Sequence, residues 1–316
     1  MILKNNIKLL SGDASFRKFY RKKNKKKSSI IVFSRKEKKK NLLIYDAINK
    51  ILIKNKIRAP NLIRQNYNNN FIEIEDFGNL SIYEKLRKKK INKIILFKKI
   101  INLLVKIQKI KTRKVETFNN SKYRIPNYTK NKLLAETNLF LEWYIPKVIK
   151  KKNQNMLKKK LKLIFKKLLN KVKSKNNTFV HRDFHVSNLM EYKKDIAIID
   201  SQDAVFGNLA YDLASLIDDV RFKTNFKEKN KIFSEYMKFH KNININKFKK
   251  DFEILSVLRN LKIIGIFMRL AIRDNKKKYL KLVPYAWEMI SYRIKKKKDF
   301  KNLMILLKNN FPKLIG

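Results

Sequence analysis

The chain has 316 residues, 44% of them hydrophobic, and no cysteine, which suits one large domain or two lobes sharing a cleft and excludes disulfide and thiolate chemistry. Met1 to Asn6 carry no apolar run of secretory-signal length, and no later stretch approaches the ~18 apolar residues of a membrane span, so a cytoplasmic protein with no membrane role is expected. The net charge of +54 would suit a polyanionic partner, but lysine runs such as Lys38 to Lys40, Lys158 to Lys160 and Lys295 to Lys298 recur from end to end, which reads as a solvated surface set by AT-rich codon usage rather than a nucleic-acid face.

In chain order, the N-terminal part predicts short strands and one helix. Gly12 lies in Leu10-Ser11-Gly12-Asp13-Ala14-Ser15-Phe16, a loop before a strand; its backbone N–H groups and Ser15 could cover phosphates, although many plain hairpins contain such a loop. Phe16 to Tyr20 and Ile30 to Phe33 are β-prone, and Phe71 to Glu75 alternates apolar with acidic side chains as a half-buried strand does. Between them, Leu42, Leu43, Ala47, Ile48 and Leu52 give Asn41 to Lys56 helical spacing, closed by Pro60. Glu75-Asp76-Phe77-Gly78 ends this part, where backbone groups could receive an adenine ring.

After Gly78 the pattern turns helical, with amphipathic segments at Ile91 to Ile110, Tyr128 to Tyr144, Leu157 to Val172, Phe248 to Arg273 and Tyr279 to Ile294. Only two short strands are expected to interrupt it, Thr178 to Val180 and Ile196 to Ile199. The reading is therefore α+β and bilobal, with residues 1–78 as a small antiparallel-sheet lobe carrying one helix and residues 79–316 as a mostly helical lobe.

Each interrupting strand is followed at once by polar residues. The first runs into His181-Arg182-Asp183-Phe184-His185-Val186-Ser187-Asn188. Phosphoryl transfer needs a carboxylate to orient and deprotonate the attacking hydroxyl and cations to neutralise phosphates. Asp183 suits the first role, and the amide oxygen of Asn188 can ligate Mg²⁺, which prefers hard oxygens. The second strand delivers Asp200 at its tip, as a hairpin would to bring another magnesium ligand opposite Asn188. Asp203 could hold a metal-bound water, touch the substrate or cap the turn before Gly207. His181 and His185 could form a helical zinc pair, but the strand before them favours a structural role, His181 fixing the loop by a hydrogen bond to backbone and His185 either doing likewise or approaching the phosphates.

These residues resemble the signature His-x-Asp-x-x-x-x-Asn followed by Ile-Asp of the aminoglycoside phosphotransferase family, met here by His181, Asp183, Asn188, Ile199 and Asp200. The likeness is strongest to one branch, the bacterial N-acetylmuramate/N-acetylglucosamine anomeric kinases of cell-wall recycling. Asp13-Ala14-Ser15-Phe16-Arg17, Asp200-Ser201-Gln202-Asp203-Ala204-Val205, Tyr211-Asp212-Leu213-Ala214-Ser215-Leu216 and Leu261-Lys262-Ile263-Ile264-Gly265-Ile266-Phe267 carry it.

The resemblance implies a protein-kinase-like fold that binds ATP between its lobes and transfers phosphate, with Mg²⁺, to the anomeric hydroxyl of an amino sugar. It implies a nucleotide role for the first lobe, with Gly12, Ser15, Glu75, Asp76 and Phe77, and a structural role for Asp212 in steadying the catalytic loop. Glu136 and Trp143 match the branch and could hold sugar hydroxyls and the ring, or simply pack a helix; Arg259 and Arg269 are candidates for an acidic substituent. For the phosphate-pairing lysine of kinases, Lys36, after the strand Ile30 to Phe33, is one candidate among many neighbouring lysines, and the following helix offers Asp46 but no glutamate. Ser201 and Asn208 stand where the branch has phenylalanine and proline, which is expected to loosen packing near the metal loop. Other readings are another acceptor, such as an aminoglycoside or choline-like alcohol, or a non-catalytic nucleic-acid-associated protein on the same scaffold.

Overall fold

Phe71 to Glu75 forms a strand of an antiparallel sheet as expected, but it is not half buried: Ile72, Glu73 and Ile74 are buried in succession, with Glu73 held by Ser29 and Lys22. The structure is a computed structural model and describes residues 6–10, 17–23, 27–88 and 91–315. Its contacts divide the chain into two units, Met1–Pro126 with Thr178–Phe206, and Asn127–Asn177 with Gly207–Gly316. The first unit takes in the helices just after Gly78 and the segment around Asp183, whose strands pack against those helices, and so extends beyond the 1–78 lobe expected from sequence.

In the first unit, β1 (Ile7–Leu10), β2 (Lys18–Lys23), β3 (Ser28–Phe33), β4 (Leu62–Asn66) and β5 (Phe71–Glu75) form a five-stranded sheet in the order β1-β2-β3-β5-β4. Helix α1 (Lys40–Lys54) lays Leu42 and Tyr45 on Ile30, Val32, Ile72 and Ile74. The chain continues through α2 (Ile82–Arg87) and α3 (Lys93–Gln108), each started by a side-chain cap, Ser81 accepting from the Glu84 N–H and Asn92 from Ile94 and Ile95. Strands β6 (Lys114–Glu116) and β7 (Lys122–Arg124) pair as a hairpin.

The same unit takes up β8 (Thr178–Val180), the hairpin of β9 (Leu189–Tyr192) and β10 (Asp195–Ile198), and β11 (Val205–Gly207), which pairs with β8 and whose last residue opens the second unit. More strands therefore follow Gly78 than the two expected; three- and four-residue strands are too short to show a period.

The second unit is helical: α4 (Lys130–Thr137), α5 (Ile145–Val148), α6 (Lys151–Lys171), α7 (Ala210–Ile217), α8 (Phe226–Met237), α9 (Ile245–Arg273), α10 (Val283–Ile294) and α11 (Lys301–Asn310). Helix α9 is its axis, packed by α7, α10 and a π-helical turn at Phe140–Tyr144. That turn breaks the single helix expected from Tyr128 to Tyr144. It lies where Gly265 of α9 leaves no side chain: a Cβ there would stand 2.3 Å from the Leu139 carbonyl carbon and 2.5 Å from the Phe140 nitrogen. Trp287, 1% exposed, joins Phe140, Tyr144 and Phe311 behind it.

A charged knot lies within the same core. Asp218, fully buried, accepts two bonds from Arg293, at 2.8 and 3.0 Å, and one from Ser256, with the Lys229 ammonium at 3.2 Å. Burial alone would push the Asp218 carboxyl up; the two cations overcome it and bring its pKa down to about 2.

Candidate active site

Apolar β8 ends at Val180 and the chain turns sharply, Arg182 taking φ 74. His181, fully buried, anchors the turn by donating Nε2–H to the Ile199 carbonyl at 3.1 Å. Burial keeps its imidazole neutral, with a pKa of about 4, so it serves the loop as a fixed neutral ring. The Asp183 carbonyl accepts from the His185 N–H and from Asn188 Nδ2, both at 3.0 Å, and Nδ2 also lies 3.4 Å from His185 Nε2. Because the amide nitrogen is committed in this way, Oδ1 is the atom Asn188 presents on its other side. The two imidazoles thus have separate partners, His181 the Ile199 carbonyl and His185 the Asn188 side chain.

Asp200 arrives by strand register. Leu189 pairs with Ile198, and the Ile199 N–H donates to the Asn188 carbonyl at 3.0 Å, so Asn188 and Asp200 leave the same end of the β9–β10 hairpin. Asp200 has φ 61. Its Oδ1 receives Arg17 Nη2 at 3.3 Å, while Arg17, 6% exposed, gives Nη1 to Asn41 at 3.1 Å and lies over the rings of Phe19 and Tyr45. Although 39% of the Asp200 side chain meets solvent, its surroundings raise the carboxyl pKa: loss of water leads, Arg17 opposes, and the charges of Asp183 and Asp203 add to it.

The next residue overturns one expectation. Ser201 does not loosen the turn; it is fully buried and donates to Asn49 of α1 at 2.6 Å, and Asn49 donates onward to the Pro60 carbonyl. Asn208, 2% exposed, likewise bonds Asp251 and caps the start of α7 through the Ala210 N–H. Buried hydrogen bonds replace apolar bulk at both positions. Asp203 is half exposed and engaged by Arg182, whose guanidinium lies 3.6 Å from the carboxylate and 3.2 Å from its backbone oxygen.

Of the residues assigned to nucleotide, Gly12 and Ser15 lie outside the described residues. The Glu75 side chain bonds Asn61 at 2.8 Å, and Asp76 is clamped by Arg21 at 2.6 Å and accepts the Gly78 N–H at 2.8 Å. Phe77 is buried on Tyr192, Met190 and Ala197. Their side chains thus support the segment, and any nucleotide contact here falls to backbone. Lys36 is exposed, in a 3₁₀ turn, and Asp46 pairs with Lys50 in its own helix.

In the second unit, Glu136 is held by Lys262 at 2.6 Å and by Tyr128, whose hydroxyl also meets Tyr211 at 3.0 Å. Trp143 is half buried in the π turn; Arg259 is 4% exposed and Arg269 half buried, both on α9, and Asp212 is fully buried in α7. Sequence reasoning gave no role to Arg17 or Lys262. Both stand inside the quoted motifs, which was the available signal.

A family profile described as "Phosphotransferase enzyme family" matches residues 6–231. A Neisseria meningitidis serogroup B protein named N-acetylmuramate/N-acetylglucosamine kinase is 26% identical over 288 residues, covering 88% of this chain and 83% of that protein. Its namesake from Pseudomonas aeruginosa is 24% identical over 315 residues, covering 94% and 86%. Among solved structures, a choline/ethanolamine kinase family protein from Mesorhizobium loti has a TM-score of 0.63 at 10% identity, covering 96% of this chain and 92% of that one. The streptomycin-ATP-APH(2")-IIa ternary complex has 0.60 at 15%, covering 92% and 94%. These two structural likenesses concern the fold, which is kinase-like.

Proposed function

The chain belongs to the phosphotransferase enzyme family, and from that membership we propose an ATP- and magnesium-dependent kinase that phosphorylates the anomeric hydroxyl of N-acetylmuramate or N-acetylglucosamine in cell-wall recycling. One observation carries the reading: a single loop and hairpin bring out Asp183, Asn188 and Asp200 together, in a chain whose relatives bear that kinase's name. ATP as donor implies a cytoplasmic reaction. No helix among the described residues is long and apolar enough to cross a membrane.

The donor set fits magnesium. Asn188 presents an amide oxygen fixed by the hydrogen bond on its nitrogen, and Asp200 a carboxylate whose neighbours Asp183 and Asp203 leave an excess of negative charge. These two residues would hold the ion, whose chemistry is to draw charge from the phosphates. Asp183 orients the sugar hydroxyl and accepts its proton as the sugar oxygen bonds to the γ-phosphorus and the bond from that phosphorus to the β–γ bridging oxygen breaks, releasing ADP. His181 and His185 hold the loop, and Arg182 holds Asp203 beside it. In this reading residues 1–78 carry ATP and residues 79–316 the sugar, with Glu136, Trp143, Arg259 and Arg269 as its candidate contacts.

The test is a panel of amino sugars and amino alcohols with ATP and magnesium, read by ADP release and by phosphorus NMR of the product. The expected product is a sugar 1-phosphate from N-acetylmuramate or N-acetylglucosamine. Turnover of only an amino alcohol or an aminoglycoside would move the acceptor elsewhere, and no ATP turnover combined with salt-sensitive DNA binding would sink the kinase reading.

A further inference from the structure

Kinases use a basic side chain, in protein kinases a lysine on the third strand, to pair the nucleotide's phosphates. Here β3 reads Ser28-Ser29-Ile30-Ile31-Val32-Phe33 and holds no basic residue. Neighbouring cations are committed to carboxylates of the sheet and its edge: Arg21 to Asp76, Lys22 to Glu73 and Arg58 to Glu75. Lys36 is exposed beyond the end of β3.

Arg17 differs in placement and in restraint. Its guanidinium touches Asp200, the proposed metal ligand, at 3.3 Å, and is 6% exposed. Asn41 holds Nη1, and the rings of Phe19 and Tyr45, 5.9 and 5.7 Å away, hold its plane. A planar cation fixed beside a metal-binding carboxylate suits a phosphate oxygen better than a mobile lysine does, since its fork matches two oxygens at once. A divalent ion on Asp200 would weaken that carboxylate's claim on the guanidinium and leave it to the phosphate. We infer that Arg17 is this protein's phosphate-pairing cation, with Asn41 of α1 as the neutral positioning residue that replaces an acidic one.

The inference rests on the kinase reading, and calorimetry of ADP and adenosine in EDTA separates the two. Wild-type protein should bind ADP more tightly than adenosine; binding of neither ligand would fail the kinase reading itself. Arg17→Gln should weaken ADP by about ten- to a hundredfold and leave adenosine within about twofold, the range of a charge-assisted hydrogen bond. Arg17→Lys should recover part of that loss. The loss should persist when Asp200→Asn is the background, because a phosphate contact does not need the carboxylate. If it vanishes there, Arg17 only neutralises Asp200 and the inference falls; it falls equally if Arg17→Gln keeps the full preference for ADP. Should Arg17→Gln bind no adenosine, Asn41→Ala decides: a drop in ADP affinity of about threefold or more with adenosine unchanged supports the assignment, and unchanged ADP affinity overturns it.

Discussion

Asn188 donates its side-chain N–H to the backbone carbonyl of Asp183 at 3.0 Å, so the proposed base and the proposed metal ligand are fixed to each other before anything binds. Asp183→Ala should cut kcat by about 10²- to 10⁴-fold with little change in thermal midpoint, as loss of a general base does. Asn188→Asp removes the donor and sets a carboxylate against that carbonyl. It should weaken the magnesium dependence of activity and lower the melting temperature, whereas Asp183→Ala leaves the latter nearly unchanged. A magnesium titration of initial rates with a parallel thermal melt checks both.

The β9–β10 hairpin, which sets that alignment, turns through Lys193 and Lys194 at φ 50 and 65. Positive φ at both central positions favours Asn-Gly, and a lysine held there is strained. Lys193→Asn with Lys194→Gly should raise stability by about 1 kcal/mol and leave turnover unchanged, read from the urea midpoint and kcat.

Gly265→Ala places a methyl group 2.3 Å from the Leu139 carbonyl carbon, where backbone must yield. Stability should fall by about 3 kcal/mol. If Trp143 serves the sugar, distortion of the π turn should also raise the KM for sugar more than the KM for ATP, which steady-state kinetics on the folded fraction can separate.

The knot around Asp218 predicts an acid limit. Its carboxyl, depressed from 3.8 to about 2, contributes stability that is fully present above about pH 4 and is lost as pH falls toward 2, roughly 2 kcal/mol for that shift. Asp218→Ala leaves Arg293 and Lys229 buried without their carboxylate and should cost about 3 to 5 kcal/mol at neutral pH. Urea unfolding between pH 2 and 7 measures both.

Segments such as Phe248 to Arg273 and Phe71 to Glu75 were legible because they are rich in apolar residues, although every residue from Asp251 to Leu261 is buried and Ile72, Glu73 and Ile74 are buried in succession, so neither shows the one-sided burial that a simple repeat implies. The motif around Asp183 was legible because chemistry there restricts residue type. The π turn was not, and Gly265, which lets α9 approach the backbone at its start, lies far along the chain from Phe140. The same distance hid the partnership of Arg17 with Asp200, and that of Lys262 with Glu136. Ser201 read as a loss of bulk because its acceptor, Asn49, belongs to a helix distant in sequence.

Asn41, Tyr45 and Asn49 follow one another along a single stripe of α1. The first holds Arg17 against Asp200, the second bonds the Asp200 backbone, and the third takes the Ser201 hydroxyl. A transplant of the 200–201 turn from a relative therefore has to bring its own helix. A Ser201→Phe graft made alone would set an aromatic ring against Asn49, whereas exchanging residues 40–54 together with 200–201 moves lock and key as one inheritance unit.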